Sequence, residues 1–323
     1  LVWLNVDRFH GIELEEFPAQ IAQVALWLTD HQMNLLVSEE FGQYFARLPL
    51  KTAPHIVHGN ALTMDWAALI APQQLRYIVG NPPFVGAKML SEQQRQDVDA
   101  VFHDTRNAGL LDYVSCWYRK AVDYCAANPA IRCAFVSTNS ITQGEQVGVL
   151  WGDLLARGIC LHFAHRTFKW SNEGKGVAAV HCVIVGFALH APTAPVRVFD
   201  YAQDITGDGV ESSASRLNPY LVEGPDLLID KRRKPLQASV PEVVFGSMPN
   251  DGGHLLLSED EAAQIRATDA IAARYIRSFL GADEFINNIP RYCLWLVDAT
   301  SADKAASPEL KRRLADVRKM REA

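Results

Sequence analysis

The chain lacks any apolar run near the ~20 residues that a membrane-spanning helix needs. Its first residues show no basic-then-apolar pattern of a secretory leader. Cysteine is sparse and scattered: Cys116, Cys125, Cys133, Cys160, Cys182 and Cys293 lie mostly inside apolar stretches. None of them makes a Cys-x-x-Cys or Cys/His spacing, so neither a zinc module nor a disulfide framework is indicated, and no metal is expected. Buried, reduced thiols of a cytoplasmic protein are the reading that remains. Internal repeats and low-complexity tracts are missing as well. The net charge of −6 excludes a uniformly basic nucleic-acid binder, although a local basic face would be hidden in that sum. Glycine-rich strand–turn–helix segments are also lacking. Asn172-Glu173-Gly174-Lys175-Gly176 and Gly207-Asp208-Gly209 carry paired glycines, but neither sits between a strand pattern and a helix pattern.

What is there is an ordinary globular composition: 323 residues, 49% hydrophobic and 21% charged, enough for one large domain or two moderate ones. Strand-like and helix-like patterns alternate through the first ~190 residues, which predicts an α/β fold with a parallel sheet. Phe9 to Ile12 reads as a strand leading to Glu13. Pro18 to Leu28 reads as a helix with Ile21, Val24, Ala25 and Leu28 on one face. His55-Ile56-Val57 reads as a strand leading to Asn60, and Tyr77 to Gly80 as a buried strand. A helix is expected over 111–125, a strand over 133–136 and a helix over 145–155. Ile159 to Ala164 and Ala178 to Ala188 read as an antiparallel hairpin around a polar loop. The pattern changes near Ala191, where prolines multiply and only 259–280 and 308–321 read as clear helices. Two domains are expected, 1–190 and a smaller α+β domain over 191–323.

The most telling residues follow the strand at Tyr77: Asn81-Pro82-Pro83-Phe84. A strand ending in Asn-Pro-Pro-aromatic resembles the reactive loop of enzymes that methylate an exocyclic nitrogen from S-adenosylmethionine. The chemistry explains the residue types. An adenine N6 amine is a poor nucleophile because its lone pair is delocalised into the ring. Two acceptors aimed at its N–H groups localise that pair, and the Asn81 side-chain oxygen with the Pro82 carbonyl can supply them. Proline fixes φ and has no N–H, so the loop is stiff and offers only acceptors. Phe84 offers a flat face for an extruded base. In doubly wound sheets ligands sit beyond the carboxyl ends of the strands. There, Glu13 could accept from both ribose hydroxyls of a nucleoside cofactor, and Asn60 from the amine of its adenine.

Taken together, His10-Gly11-Ile12-Glu13, Gly59-Asn60-Ala61-Leu62, Gly80 to Gly86, and Ser137-Thr138-Asn139-Ser140-Ile141 resemble a known family. So do Gly176 to Val180, Asn218-Pro219-Tyr220-Leu221, Phe245 to Gly253, and Phe285 to Leu296. The family is the class I DNA N6-adenine methyltransferase region of fused type IIG/IIL restriction-modification enzymes, with the start of the target recognition domain. The resemblance implies a Rossmann-like S-adenosylmethionine-dependent fold, mostly parallel with a terminal antiparallel hairpin. It implies truncation at the N-terminus, since the Gly-rich motif for the methionine end is absent and the chain starts at Leu1 in mid-pattern. This fragment alone is then expected to be inactive. Catalysis would rest on Asn81, Pro82, Pro83 and Phe84, and cofactor binding on Glu13, Asn60 and Asn81. A second aromatic before the last strand would be Phe168 or Trp170, in Thr167-Phe168-Lys169-Trp170. The partner would be double-stranded DNA in a bacterial cytoplasm, with no role for a membrane. A nuclease of the same polypeptide would precede the methyltransferase, although no PD-(D/E)xK pattern stands out here. Lys231-Arg232-Arg233-Lys234 and the basic helix from Lys311 would meet phosphates. RNA or protein-glutamine methylation, and a non-catalytic DNA-specificity module, are the alternatives.

Overall fold

A computed structural model of the chain describes residues 4–43, 52–170, 180–201, 205–229, 232, 234–242, 246 and 249–322. They fall into two compact units, Leu1–Arg232 and Arg233–Ala323.

The first unit opens with a crossover. Strand β1 (His10–Glu13) pairs in parallel with β2 (His55–His58), in register from His10↔His55 to Glu13↔His58. Helix α1 (Glu16–Phe41) connects them and ends at Gly42, whose φ of 62° supplies the left-handed residue after the last turn. The face of α1 that packs is not the predicted one. Ile21, Val24 and Leu28 are exposed, while Ala19 is buried, Gln23 donates to the Ile56 carbonyl (3.3 Å) and Trp27 to the Thr52 carbonyl (3.0 Å). Both stripes have helical spacing, and periodicity alone does not say which one finds a partner.

After the short helix α2 (Trp66–Leu69) come β3 (Tyr77–Gly80), α3 (Glu92–Val101), α4 (Ser115–Cys125), β4 (Arg132–Thr138) and α5 (Glu145–Ala156). Then follow β5 (Cys160–Trp170), β6 (Val180–Ala188), β7 (Val196–Asp200) and β8 (Val210–Ala214). The sheet order is β3-β4-β6-β5-β7-β8. β3 and β4 are parallel, and β5 and β6 form the expected antiparallel hairpin. The sheet then runs on past the change of pattern at Ala191, through β7 and β8. Prolines and turns mark that stretch in the sequence, but strand pairing crosses it. β3 is an edge strand rather than a buried one, with Tyr77 63% and Val79 77% exposed. Among the described residues its ladder partner is β4 alone.

The core lies between this sheet and helices α4 and α5. Tyr118 stacks on Phe187 (5.3 Å between centroids) and meets Phe135 and Trp151 edge-on (5.2 and 6.0 Å). Its hydroxyl pairs with Ser137 Oγ at 2.8 Å, and Trp151 Nε1 donates to the Ile141 carbonyl at 2.7 Å, so the buried polar tips are satisfied. Gly186 of β6 is required by packing. A Cβ there would lie 2.0 Å from the Phe163 ring, which rests on the bare backbone.

The second unit is built on three short antiparallel strands in the order β10-β11-β9, namely β9 (Leu256–Leu257), β10 (Ile276–Ser278) and β11 (Tyr292–Leu294). Around them lie α6 (Glu259–Thr268), α7 (Ala270–Ala273), α8 (Ala282–Asn287), α9 (Ser301–Ala306) and α10 (Pro308–Glu322). Leu257, Ile265, Ala272, Ile276, Leu294 and Leu310 form its core. The single helix predicted over 259–280 is broken at Asp269. That carboxylate accepts from Ile271 N (3.1 Å) and Ala272 N (2.9 Å), starting α7 afresh. No helix of the described residues is long and apolar enough to cross a membrane.

Candidate active site

The chain leaves β3 at Gly80 and runs without regular structure through Asn81 to Gly86. Two successive prolines explain this, because neither can donate to a ladder or a helix. Gly80 lies close on β4, where a Cβ would sit 3.3 Å from the Phe135 ring. Asn81 is exposed, Pro82 buried and Phe84 half-buried. Among the described residues the Asn81 amide has no side-chain hydrogen bond, and both of its polar ends are open to a ligand. The loop's far end is fastened. Tyr113 N–H donates to the Val85 carbonyl (2.9 Å), and Ala87 N–H to Asp112 Oδ1 (3.0 Å). The other oxygen of Asp112 accepts from Thr138 Oγ1 (3.3 Å), at the end of β4, and from Ser140 Oγ just after it.

In the separate two-stranded sheet, Glu13 ends β1 and Asn60 follows the carboxyl end of β2. Among the described residues Glu13 Oε1 accepts the nearby Glu15 N–H (3.2 Å) and no other side-chain contact, which leaves the rest of the carboxylate to a ligand. Asn60 is more engaged. Its Oδ1 accepts Leu62 N–H (2.9 Å), and its Nδ2 donates to Asp97 Oδ2 (3.3 Å). Asp97 is buried and also receives the Tyr113 hydroxyl at 2.5 Å. One lone pair of the Asn60 oxygen is left for an incoming amine, and the amide is fixed in orientation by its two partners. Burial and the Asp97 carboxylate together push the Tyr113 phenol upward, and burial pushes the neighbouring Cys116 thiol up to about 12. Both stay neutral donors. Burial also lowers Lys120, whose ammonium donates to the Met64 carbonyl (2.8 Å) below the Asn60 turn.

Sequence reasoning did not single out Asp97, Asp112 or Tyr113 for the site. One signal was present: Asp112 is a lone acid inside the apolar run from Leu110 to Val114, where a charge must be buried with partners.

Phe168 and Trp170 do not lie in a loop. They belong to β5, opposite Cys182 and Val180 of β6. The register slips between His165 and Phe168, and this bulge lets the strand continue where alternation in the sequence breaks down. Phe168 sits in an aromatic cluster with Tyr201 (5.2 Å), Trp170 (6.2 Å) and His165 (6.5 Å). The row Thr138↔Cys182↔Phe168 puts it at the carboxyl end of β4, the end of the sheet that carries Asn81.

Of the first basic cluster, Arg232 and Lys234 are exposed, while Lys231 and Arg233 lie outside the described residues. So do Gly176 to Ala179, Phe245, Ser247 and Met248 of the family motifs. On α10, Arg313 faces inward. It is 6% exposed and donates to Glu309, Glu261 and the His254 carbonyl (2.6, 2.8 and 2.7 Å), so it serves the unit's own packing. Lys311, Arg318 and Lys319 remain on the exposed face. Among the described residues no cluster of His, Cys, Asp or Glu could hold a metal ion.

Comparison with known proteins agrees along the whole chain. The family model for the DNA-methyltransferase domain of MmeI matches residues 2–200, and that for the MmeI target recognition domain matches residues 223–323. DNA methyltransferase A of Bacillus subtilis (strain 168) is 37% identical over 99% of this chain and 36% of its own length. The type IIL restriction-modification enzyme MmeI, solved in complex with DNA, is 48% identical with a TM-score of 0.86, over 99% of this chain and 42% of that one. The chain thus spans about two fifths of the length of these relatives.

Proposed function

Because the chain belongs to the MmeI family of DNA methyltransferases with an attached target recognition domain, we propose that it is the part that transfers the methyl group and begins target recognition. The acceptor is the N6 amine of an adenine turned out of double-stranded DNA, and the donor is S-adenosylmethionine. The observation that carries this reading is the Asn81 amide, without a partner among the described residues, on a proline-stiffened loop at the carboxyl end of β3. Glu13 and Asn60 end neighbouring strands of the same unit.

The donor set fits such a cofactor at its nucleoside end. Glu13 would take the ribose hydroxyls and Asn60 the adenine amine. When bound, the cofactor supplies an electrophilic methyl on a sulfonium sulfur. Asn81 Oδ1 and the Pro82 carbonyl accept from the two N6–H groups and draw the lone pair out of conjugation, toward the methyl. As the nitrogen becomes cationic, its proton leaves along the hydrogen bond to one of these acceptors and passes to water. Pro83 keeps the loop from offering a competing donor. Phe84 stacks on one face of the extruded base, with Phe168 or Trp170 supporting the other. Arg232, Lys234 and their neighbours Lys231 and Arg233 contact phosphates, which hold the duplex without reading its sequence.

The test is Asn81→Ala in the full-length parent protein, assayed with labelled methyl donor on duplex DNA, RNA and glutamine-containing peptide. Duplex DNA should be the substrate. The variant should lose about 10²–10³ in turnover, the scale of one preorganised polar group, with cofactor affinity nearly unchanged. Near-normal turnover by the variant, or transfer to RNA or peptide in preference to DNA, contradicts the reading.

A further inference from the structure

We infer that Asp112, with Tyr113, is a positioning residue that sets the placement of the Asn81 acceptor. This inference rests on the methyl-transfer reading above. Asp112 is 6% exposed and gathers donors from two segments far apart in the sequence: Ala87 N–H beyond the reactive loop, and the hydroxyls of Thr138, which ends β4, and of Ser140 just after it. A carboxylate suits three donors on one buried group, because its two oxygens offer about four lone-pair sites. Such charge-assisted bonds are shorter and stronger than neutral ones.

The backbone on either side adds to the clamp. Asp112 N–H donates to Gln146 Oε1 of α5 (2.9 Å), and Tyr113 N–H holds the Val85 carbonyl (2.9 Å). The loop is therefore gripped at Val85 and at Ala87, on both sides of Gly86. Its other end is fixed at Gly80 by the ladder to β4. Only Asn81 to Phe84 lie between the two grips, and two of those residues are prolines with fixed φ. Little freedom is left, so the position of the Asn81 amide follows from where Asp112 holds the far end. Tyr113 extends the same device to the cofactor side, because its hydroxyl and the Asn60 amide share Asp97 Oδ2. One dipeptide thus ties the loop for the methyl acceptor to the turn for the methyl donor.

The experiment uses the full-length parent with Asp112→Ala, Asp112→Asn and Asn81→Ala. Cofactor binding is measured by calorimetry, and methyl transfer as a single-turnover rate normalised to titrated competent sites. For Asp112→Ala the per-site rate should fall about 10–100-fold, the scale of an ångström-sized misplacement of a reacting group, with cofactor affinity within a few-fold. Asp112→Asn, which can still accept from Ala87 N–H, should recover part of the rate. A merely structural role would lower the melting temperature and the number of competent sites but leave the per-site rate at the wild-type value, and that result overturns the inference. If Asp112→Ala no longer binds cofactor, Asp112→Asn decides: a rate between the wild type and Asn81→Ala supports the clamp, and a wild-type rate overturns it. The Asn81→Ala control separates the two levels. If it stays active, the methyl-transfer reading fails. If it is silent while the Asp112 variants are normal, the clamp alone fails.

Discussion

At the scale of single residues, the site divides into what a short motif can announce and what only folding assembles. Asn81 to Phe84 were legible because chemistry and backbone demand coincide there. A stiff, donor-free loop after a strand needs proline, and the acceptor beside it needs an amide. Phe84 carries a direct consequence. Truncation to Ala should cost about 1–3 kcal/mol of base stacking, and a duplex with 2-aminopurine at the target position should lose its flipping fluorescence with the parent variant. A full signal from Phe84→Ala would move the stacking role to another ring. Asp112 was not legible, because its partners lie 25, 26 and 28 residues away and no local pattern reports such distances. Phe168 and Trp170 stand out in the sequence as aromatics but not as strand residues, since a bulge after His165 prolongs β5 where alternation suggests a loop.

At the scale of elements, strand and helix cores were readable from periodicity, while faces and breaks were not. The apolar stripe of α1 from Ile21 to Leu28 has the right spacing and points away from β1 and β2. The break between α6 and α7 depends on a side chain acting on the backbone. Asp269 caps α7 with one oxygen, and with the other accepts Ser307 Oγ (2.6 Å) and Glu309 N–H (3.3 Å) at the start of α10. One carboxylate therefore serves two helix N-termini. Asp269→Ala should destabilise the second unit by about 2 kcal/mol, at the upper end of a single cap's worth, read as a shift of the urea midpoint. A change of only a few tenths would mean that water replaces both caps at little cost.

At the scale of the whole molecule, the α/β class and the methyltransferase kinship were legible, whereas the extent of the sheet beyond Ala191 was not, because β7 and β8 are defined by pairing rather than by composition. The molecule also has a pH signature. His10, His162 and His165 are held below the usual histidine value, first of all by burial, with His55 as a second cause for His10 and Arg197 for His165. The folded state therefore prefers them neutral. Their contribution is complete above pH 6.5 and is lost as pH falls through 6.5 toward their lowered folded values. Melting temperature should decline from pH 7 to pH 5. Replacing His165, which stacks on Phe199 at 4.2 Å, by Phe should flatten that decline, and an unchanged slope would assign the decline to other groups. Finally, among the described residues one edge of β3 has no ladder partner, and Val79 on that strand is exposed. A row of backbone donors and acceptors flanked by apolar side chains is a template for copying itself onto another molecule. The apparent molar mass of residues 1–323 from light scattering should rise with concentration, and Val79→Lys, which places a charge on the template, should hold it at the monomer value.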